Sequence, residues 1–112
     1  MVSEIQPDAA NMSLAAMESR AGEVAALLKT LAHPMRLMLV CTLVKGEHSV
    51  SQLEGVLGIH QPNLSQQLTV LRDANIVETR RDGKQIFYRL TAEKAAQLVA
   101  ALYTIFCSEG RP

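Results

Sequence analysis

Apolar residues recur at helical spacing over the first part of the chain. From Leu14 to Leu31 the successive apolar positions are three or four residues apart, which is typical of one face of an α-helix. Ser13 is a suitable N-cap for this helix. His33-Pro34 interrupts the pattern, because the residue before a proline avoids the helical region and proline suits a first helical turn. The pattern predicts a first helix over 14–31 and a second from about Pro34 to Val44.

The second helix carries an apolar face, and a shorter helix is predicted to follow it. The apolar face consists of Leu37, Met38, Cys41 and Val44. Ser49 can cap a third helix of about 50–56, and Gly58 can end it. The inward positions of this third helix are expected to be Leu53 and Val56.

A fourth helix, from about Gln61 to Ala74, separates apolar residues from uncharged polar ones. Its inward positions are Leu64, Leu68 and Leu71. Gln66 lies nearly opposite this apolar stripe, and three polar residues flank the stripe: Asn63, Ser65 and Thr69. Because Asn and Gln can contact adenine in the major groove, these four residues and Gln61 are candidate DNA contacts. The alternative interpretation is a solvated polar helix face.

After residue 75 the apolar pattern changes to a period of two and predicts a β-hairpin. Two β-prone runs, 76–78 and 85–89, are separated by a segment that contains Asp82-Gly83. This dipeptide favours a type I′ turn, in which both central residues need positive φ. The turn is flanked by three basic residues that are candidate contacts to DNA phosphate or to the minor groove. They are Arg80, Arg81 and Lys84.

A last helix of about 92–107 follows, with Thr91 as its expected cap and a broad apolar face. That face consists of Ala95, Leu98, Val99, Leu102, Ile105 and Phe106. Four helices, a hairpin and a fifth helix in this order predict a winged helix-turn-helix, mainly α with a small β-hairpin. The expected organisation is a flexible segment over 1–13, a DNA-binding and dimerisation domain over 14–108 and a short tail over 109–112.

Composition narrows the class of protein but does not decide it. The 112 residues carry eleven basic and eleven acidic side chains, so the net charge is zero. Residues 61–90 nevertheless hold a surplus of two positive charges, and residues 1–30 a surplus of two negative charges. The first thirteen residues lack the basic start and apolar run of a secretory signal, and no apolar run is long enough to span a membrane. A cytoplasmic protein without membrane contact is therefore expected.

Residues 27–90 resemble the ArsR/SmtB family of homodimeric winged-helix repressors. The resemblance is carried by LAHPMRL at 31–37, LSQQLTVLRDANIVETRRDGK at 64–84 and YRL at 88–90. It implies a repressor that binds an inverted repeat in double-stranded operator DNA. It also implies a homodimer that is held together by the first and last helices.

The metal sites of the family are not matched. The Cys-x-Cys of its third-helix site corresponds to Ser49 and Ser51, whose neutral hydroxyls are poor ligands for soft metals. The last-helix zinc site needs histidine, and none of His33, His48 and His60 lies on that helix. No metal and no other cofactor is therefore expected.

The two cysteines, Cys41 and Cys107, resemble those of the sulfide- and persulfide-responsive branch of the family. Members of that branch carry one cysteine on the second helix and one on the last. The resemblance implies that reactive sulfur species or oxidants crosslink the pair, release the operator and induce sulfide-detoxification genes. Taken singly, Cys41 is interpreted as a small buried hydrophobe and Cys107 as a half-exposed thiol without a role.

Two other functions stay open from the sequence, and a third is disfavoured. The first is an ArsR-type repressor whose cysteines are structurally inert and whose inducer is something else. The second is a winged-helix module for protein partners, because a fold alone does not fix a function. The third, a thiol oxidoreductase, would usually need Cys-x-x-Cys or a cysteine beside a histidine base, and neither spacing occurs. The sequence therefore predicts a protein that is not an enzyme.

Overall fold

The computed structural model describes residues 13–107, which form five helices and three strands. In chain order the elements are α1 Leu14–Leu31, α2 Pro34–Val44, β1 His48–Ser49, α3 Val50–Leu57, α4 Gln61–Asp73, β2 Val77–Asp82, β3 Gln85–Leu90 and α5 Glu93–Cys107. This is the winged helix-turn-helix that the sequence predicts. The expected segment before Ser13 and the expected tail over 109–112 lie outside the described residues, as does residue 108.

The helix boundaries follow from local chemistry. The Ser13 hydroxyl caps α1 by accepting a hydrogen bond from the Ala16 amide at 3.1 Å. His33 caps α2 with Nδ1, which accepts from the Met35 amide, also at 3.1 Å. Gly58 ends α3 in the left-handed conformation, with φ of 66°, which glycine adopts without steric cost. The predicted starts and ends of the first four helices are thus confirmed to within about a residue.

The core lies between α2, α3, α4, α5 and the sheet. Its largest fully buried side chains are Leu39, Val40, Leu53, Leu64, Leu68 and Leu71. The inward face that the sequence predicts for α4 is confirmed, and so is Leu53 of α3. Ala95 and Val99 of α5 are buried as well, whereas α1 contributes only Leu31 to the buried set.

One inward position predicted for α3 is wrong, and the apolar residues of α2 are divided between the core and the surface. On α3, Val56 is 62% exposed and does not point inward, because a helix of only eight residues buries little more than Leu53. On α2 the buried residues are Leu39, Val40 and Leu43, whereas Met38 and Val44 of the predicted apolar face are exposed. Leu37 and Cys41 of that apolar face are half-buried and pack against the core.

The hairpin is confirmed, but its turn is shifted by one residue from the prediction. Asp82, the last residue of β2, pairs with Gln85, the first residue of β3, so the two turn residues are Gly83 and Lys84. Gly83 has φ of 66°, and Lys84 does not have positive φ. Positive φ at the first central residue alone is the pattern of a type II′ turn, not of the predicted type I′ turn.

The sheet has one more strand than the sequence predicts. The order is β1-β3-β2, all antiparallel, with His48 opposite Tyr88 and Ser49 opposite Phe87. Two residues are too few to give an alternating pattern, so β1 left no signal in the sequence. It joins the end of the loop after α2 to the middle of the wing.

Thr91 does not act as the predicted cap of α5, which begins at Glu93. The Thr91 hydroxyl donates to the Ile76 carbonyl at 3.4 Å, and the Thr91 amide donates to the same carbonyl at 2.9 Å. Thr91 therefore ties the end of β3 to the start of β2.

No single described helix is long and apolar enough to cross a membrane; α1 and α2 reach that length and composition only together, across a bend of 99°.

Candidate nucleic-acid interface and cysteine groove

The outward face of α4 presents the uncharged polar residues that the sequence selects. Gln61, Asn63, Ser65, Gln66 and Thr69 are all exposed. The Thr69 hydroxyl donates to the Ser65 carbonyl at 2.9 Å, so its proton is used within the helix. The Gln66 side chain has no hydrogen bond to any residue of 13–107, which leaves both ends of its amide available.

The short helix in front of α4 is held in place by a capping box. The Ser49 hydroxyl accepts from the Gln52 amide at 3.1 Å, and the Gln52 side chain accepts from the Ser49 amide at 2.8 Å. Ser49 is almost fully buried, whereas Ser51 is exposed. The serine at the first of the two family thiolate positions therefore has a structural role as a cap. Over residues 13–107 no three His, Cys, Asp or Glu side chains are grouped so as to hold a metal ion.

Arg36 holds the inner flank of α4 through a contact that no sequence pattern predicts. Its Nη1 donates to Oε1 of Gln67 at 2.7 Å, and its Nε donates to the carbonyl of Thr30. One side chain thus links the end of α1, the start of α2 and the inner flank of α4. The only indication of this contact in the sequence is that Gln67 lies next to the predicted apolar stripe of α4.

The three basic residues of the wing differ in their surroundings. Arg80 donates from Nε and Nη2 to the two carboxylate oxygens of Glu47, at 2.8 and 2.9 Å. Its guanidinium also lies over the Phe87 ring, 4.6 Å from the centroid. Arg81 and Lys84 are exposed, and neither has an ion-pair partner within residues 13–107.

The Arg80–Glu47 pair is a joint between the wing and the loop after α2. Its bidentate geometry is the strongest that an arginine and a carboxylate can form. Hydrogen bonding to Arg80 lowers the pKa of Glu47, and the same bond raises the pKa of Arg80. No local pattern in the sequence identifies Glu47, because its partner lies far along the chain.

A groove of about 320 Å³ separates α2 from α5 and contains the first of the two cysteines. Its walls include Cys41 and Lys45 on α2, and Val99, Ala100 and Tyr103 on α5. Cys107 lies four residues after Tyr103 and three after Thr104, which also lines the groove, so it is on the same face of α5 one turn further on. Both cysteines are free thiols; Cys41 is half-buried and Cys107 is exposed.

Comparison with known proteins agrees with this architecture. The pattern of the family described as "Bacterial regulatory protein, arsR family" matches residues 33–79, from the cap of α2 into β2. The chain is 66% identical to the biofilm growth-associated repressor of Xylella fastidiosa strain 9a5c, over 97% of this chain and 96% of that protein. It is 65% identical to the biofilm growth-associated repressor of Agrobacterium fabrum, over 90% of this chain and 86% of that protein.

A solved structure matches the fold as well. The crystal structure of the transcriptional repressor BigR from Xylella fastidiosa superposes with a TM-score of 0.80 at 72% sequence identity. The alignment covers 86% of this chain and 98% of that one. The similarity therefore extends beyond the helix-turn-helix to the helices on either side of it.

Proposed function

The chain belongs to the ArsR family of bacterial regulatory proteins and is a transcriptional repressor of the BigR type, and from this premise we propose that Cys41 and Cys107 are its switch. In the reduced form the repressor holds its operator. A reactive sulfur species or another oxidant links the two cysteines within one chain, and the linked form releases the operator. The genes that are derepressed are those for sulfide detoxification. The relatives are named as repressors, which agrees with a protein that is not an enzyme.

The DNA-binding part of the proposal is supported by the exposed faces of α4 and the wing. Gln66 and its neighbours Gln61, Asn63 and Ser65 have the donors and acceptors that read base edges in the major groove. Arg81 and Lys84 have free positive charges at the hairpin, where phosphates of the flanking groove would lie. Arg80 is already neutralised by Glu47, so its contribution to DNA binding is to position the wing.

A homodimer is supported by the apolar residues that one chain leaves uncovered on α1 and α5. The exposed set outside the groove is Leu14, Met17, Val24, Leu28, Ile105 and Phe106. Large exposed apolar side chains that repeat along one face of a helix, as they do on α1, are typical of an interface. A two-fold dimer places two copies of α4 on two half-sites of an inverted repeat.

The observation that carries the switch is the placement of Cys41 in the α2–α5 groove, with Cys107 on the groove side of α5. A persulfide, R–S–SH, supplies the oxidation. The thiolate of one cysteine attacks the outer sulfur of the persulfide, the S–S bond of the donor breaks, and RS⁻ leaves. The second thiolate attacks the inner sulfur of the new protein persulfide and expels HS⁻, which leaves a disulfide. Two protein thiols are oxidised, and the donor is reduced to a thiol and hydrogen sulfide.

A link across the groove is coupled to DNA through the two helices that it joins. α2 packs against the core, and α5 carries part of the proposed dimer interface. Drawing the two helices together changes the angle of α5 and hence the separation of the two α4 helices in the dimer. Coupling of this kind is typically about 1 to 3 kcal/mol, which lowers operator affinity about 5- to 150-fold.

Intact-mass and peptide analysis of the persulfide-treated protein tests the link. A disulfide loses two hydrogen atoms, and each inserted sulfur adds the mass of one sulfur atom. We expect an intramolecular product in which the peptides of Cys41 and Cys107 are joined by two or more sulfurs. If each cysteine carries its own modification and no joined peptide forms, the crosslink mechanism is wrong. The protein is then a repressor that responds to modification of a single cysteine or to a different inducer.

A further inference from the structure

The groove beside Cys41 has features that the crosslink does not require. Its volume of about 320 Å³ is at the lower end of the range for small-molecule sites, so it suits a reagent of few atoms. Eight residues line it, and Lys45 is the only charged one among them. The other side chains are apolar, as in Val99, or carry a hydroxyl or a thiol, as in Tyr103 and Cys41.

Lys45 is placed to act on a molecule that approaches Cys41. The two residues lie four positions apart, with Cys41 in the last turns of α2 and Lys45 at its C-cap, which puts them on one face about one turn apart. No residue of 13–107 forms an ion pair or a side-chain hydrogen bond with Lys45. Glu47, the nearest carboxylate along the chain, is held by Arg80 in the bidentate pair. The charge of Lys45 is therefore not neutralised by these neighbours.

We infer that the α2–α5 groove is a binding site for a small anionic sulfur donor, a persulfide or polysulfide anion, and that Lys45 is the residue that positions it. The ammonium group attracts the negative end of the donor, and the neutral walls hold its sulfur atoms against the Cys41 thiolate. The thiolate attacks a sulfur of the donor, one donor S–S bond breaks, and the shorter anion leaves. This inference rests on the proposed function for the identity of the donor, but the charge preference of the groove does not depend on it.

A pair of alkylating reagents measures that charge preference directly. Iodoacetate is an anion and iodoacetamide is neutral, and both alkylate thiolates. In a Cys107→Ser background Cys41 is the only thiol, so intact mass follows its alkylation alone. Any change in the intrinsic reactivity of the Cys41 sulfur acts equally on both reagents and cancels in the ratio of their rates.

We expect Lys45→Gln to lower the iodoacetate-to-iodoacetamide rate ratio about threefold at low salt, since the removed charge lies one helical turn from Cys41 in a partly solvated site. Lys45→Glu should lower the ratio further, and Lys45→Arg should restore it. Lys29→Gln removes an equivalent exposed charge outside the groove and should leave the ratio unchanged. The differences should shrink as salt screens the charge. An unchanged ratio in Lys45→Gln, or an equal fall in Lys29→Gln, would overturn the inference.

The donor itself is tested in the protein with both cysteines. Inorganic polysulfide is the anionic probe and hydrogen peroxide the neutral one, and the readout is the rate of Cys41–Cys107 linkage. Lys45→Gln should lower the polysulfide-to-peroxide rate ratio by a factor similar to that seen for alkylation. A ratio that stays constant would show that the donor does not use the groove. If polysulfide links nothing even in the wild type, the proposed function is wrong, whereas the alkylation ratio still decides whether the groove attracts anions.

Discussion

Single residues of the wing have different roles although the sequence places them together. Arg80 and Arg81 are adjacent, but on a β-strand neighbouring side chains point to opposite faces of the sheet. Arg80 reaches Glu47 and the Phe87 ring, and Arg81 has no ion-pair partner within residues 13–107. The free charge of the wing therefore belongs to Arg81 and Lys84.

The two arginines should differ in the salt dependence of DNA binding. Arg81→Ala should weaken binding to all sequences alike and reduce the slope of log affinity against log salt by about one, because one phosphate contact is lost. Arg80→Ala should leave that slope nearly unchanged, since its charge is compensated by Glu47 in the free protein. Fluorescence anisotropy with operator DNA over a salt series gives both slopes. Equal slopes for the two variants would contradict the different roles.

The Arg80–Glu47 pair also predicts a pH dependence. The pKa of Glu47 is lower in the folded protein than in the unfolded chain, because Arg80 bonds the ionised form. The stabilisation is fully present above the unfolded pKa and is lost as the pH falls through the folded one. Glu47→Gln should remove this part of the acid sensitivity, measured as urea unfolding at pH values on either side of the usual glutamate range. An unchanged acid profile would show that the pair does not contribute.

Gln66 is the residue expected to read a base. Gln66→Ala should cost about 1 to 3 kcal/mol of operator affinity and relax the preference at one position of each half-site. Competition with operators that carry single base changes measures this. Ser51→Ala, which removes an exposed hydroxyl from α3, is the matched control and should leave both affinity and preference unchanged. A uniform loss over all sequences in Gln66→Ala would mean that the residue positions the helix and does not read a base.

Among the elements, α3 depends most on one side chain. Ser49 caps it and is buried, and its hydroxyl satisfies an amide that would otherwise lack a partner. Ser49→Ala should lower the free energy of unfolding by about 1 kcal/mol, measured by urea denaturation. Ser51→Ala should change the same free energy by less than about 0.5 kcal/mol, because Ser51 is exposed. Equal effects of the two substitutions would show that the cap does not stabilise α3.

The elements were predictable where one physical signal dominated. Helices α1, α2 and α4 follow from long apolar periods and from proline or serine at their starts. Which side of α2 enters the core could not be predicted from the sequence, because apolar residues occupy nearly all of its circumference. Their pattern does not distinguish the side that faces the core from the side that faces the groove. β1 is too short for a period, and the position of the turn depends on whether Asp82 pairs with Gln85, which the sequence does not reveal.

For the whole molecule, the exposed apolar residues of α1 and α5 predict a stable homodimer. Leu28→Glu should raise the dimer dissociation constant about tenfold or more, because a charge would be buried in an apolar contact. Lys29→Gln, one residue further on, is the control and should leave the dimer unchanged. Analytical ultracentrifugation over a range of concentrations measures both constants. A wild-type protein that stays monomeric at micromolar concentration would contradict the proposed interface.

The candidate site was predictable only in part from the sequence. The polar face of α4 and the basic wing follow from periodicity, because each lies within one element. The α2–α5 groove depends on the packing of two helices that are far apart along the chain, and neither Lys45 nor Glu47 carries a local signal. The pairing of Cys41 with Cys107 came only from resemblance to a family branch, and it stays a prediction.

The measurement that tests the switch most directly is operator affinity before and after persulfide treatment, in the wild type and in Cys41→Ser and Cys107→Ser. All three reduced proteins should bind, because serine is close to cysteine in size. Persulfide should lower the affinity of the wild type about 5- to 150-fold, and a reductant should restore it. Each single variant should remain bound to operator DNA after persulfide treatment, since one thiol cannot form the crosslink. Undiminished release in both variants would contradict the crosslink as the switch.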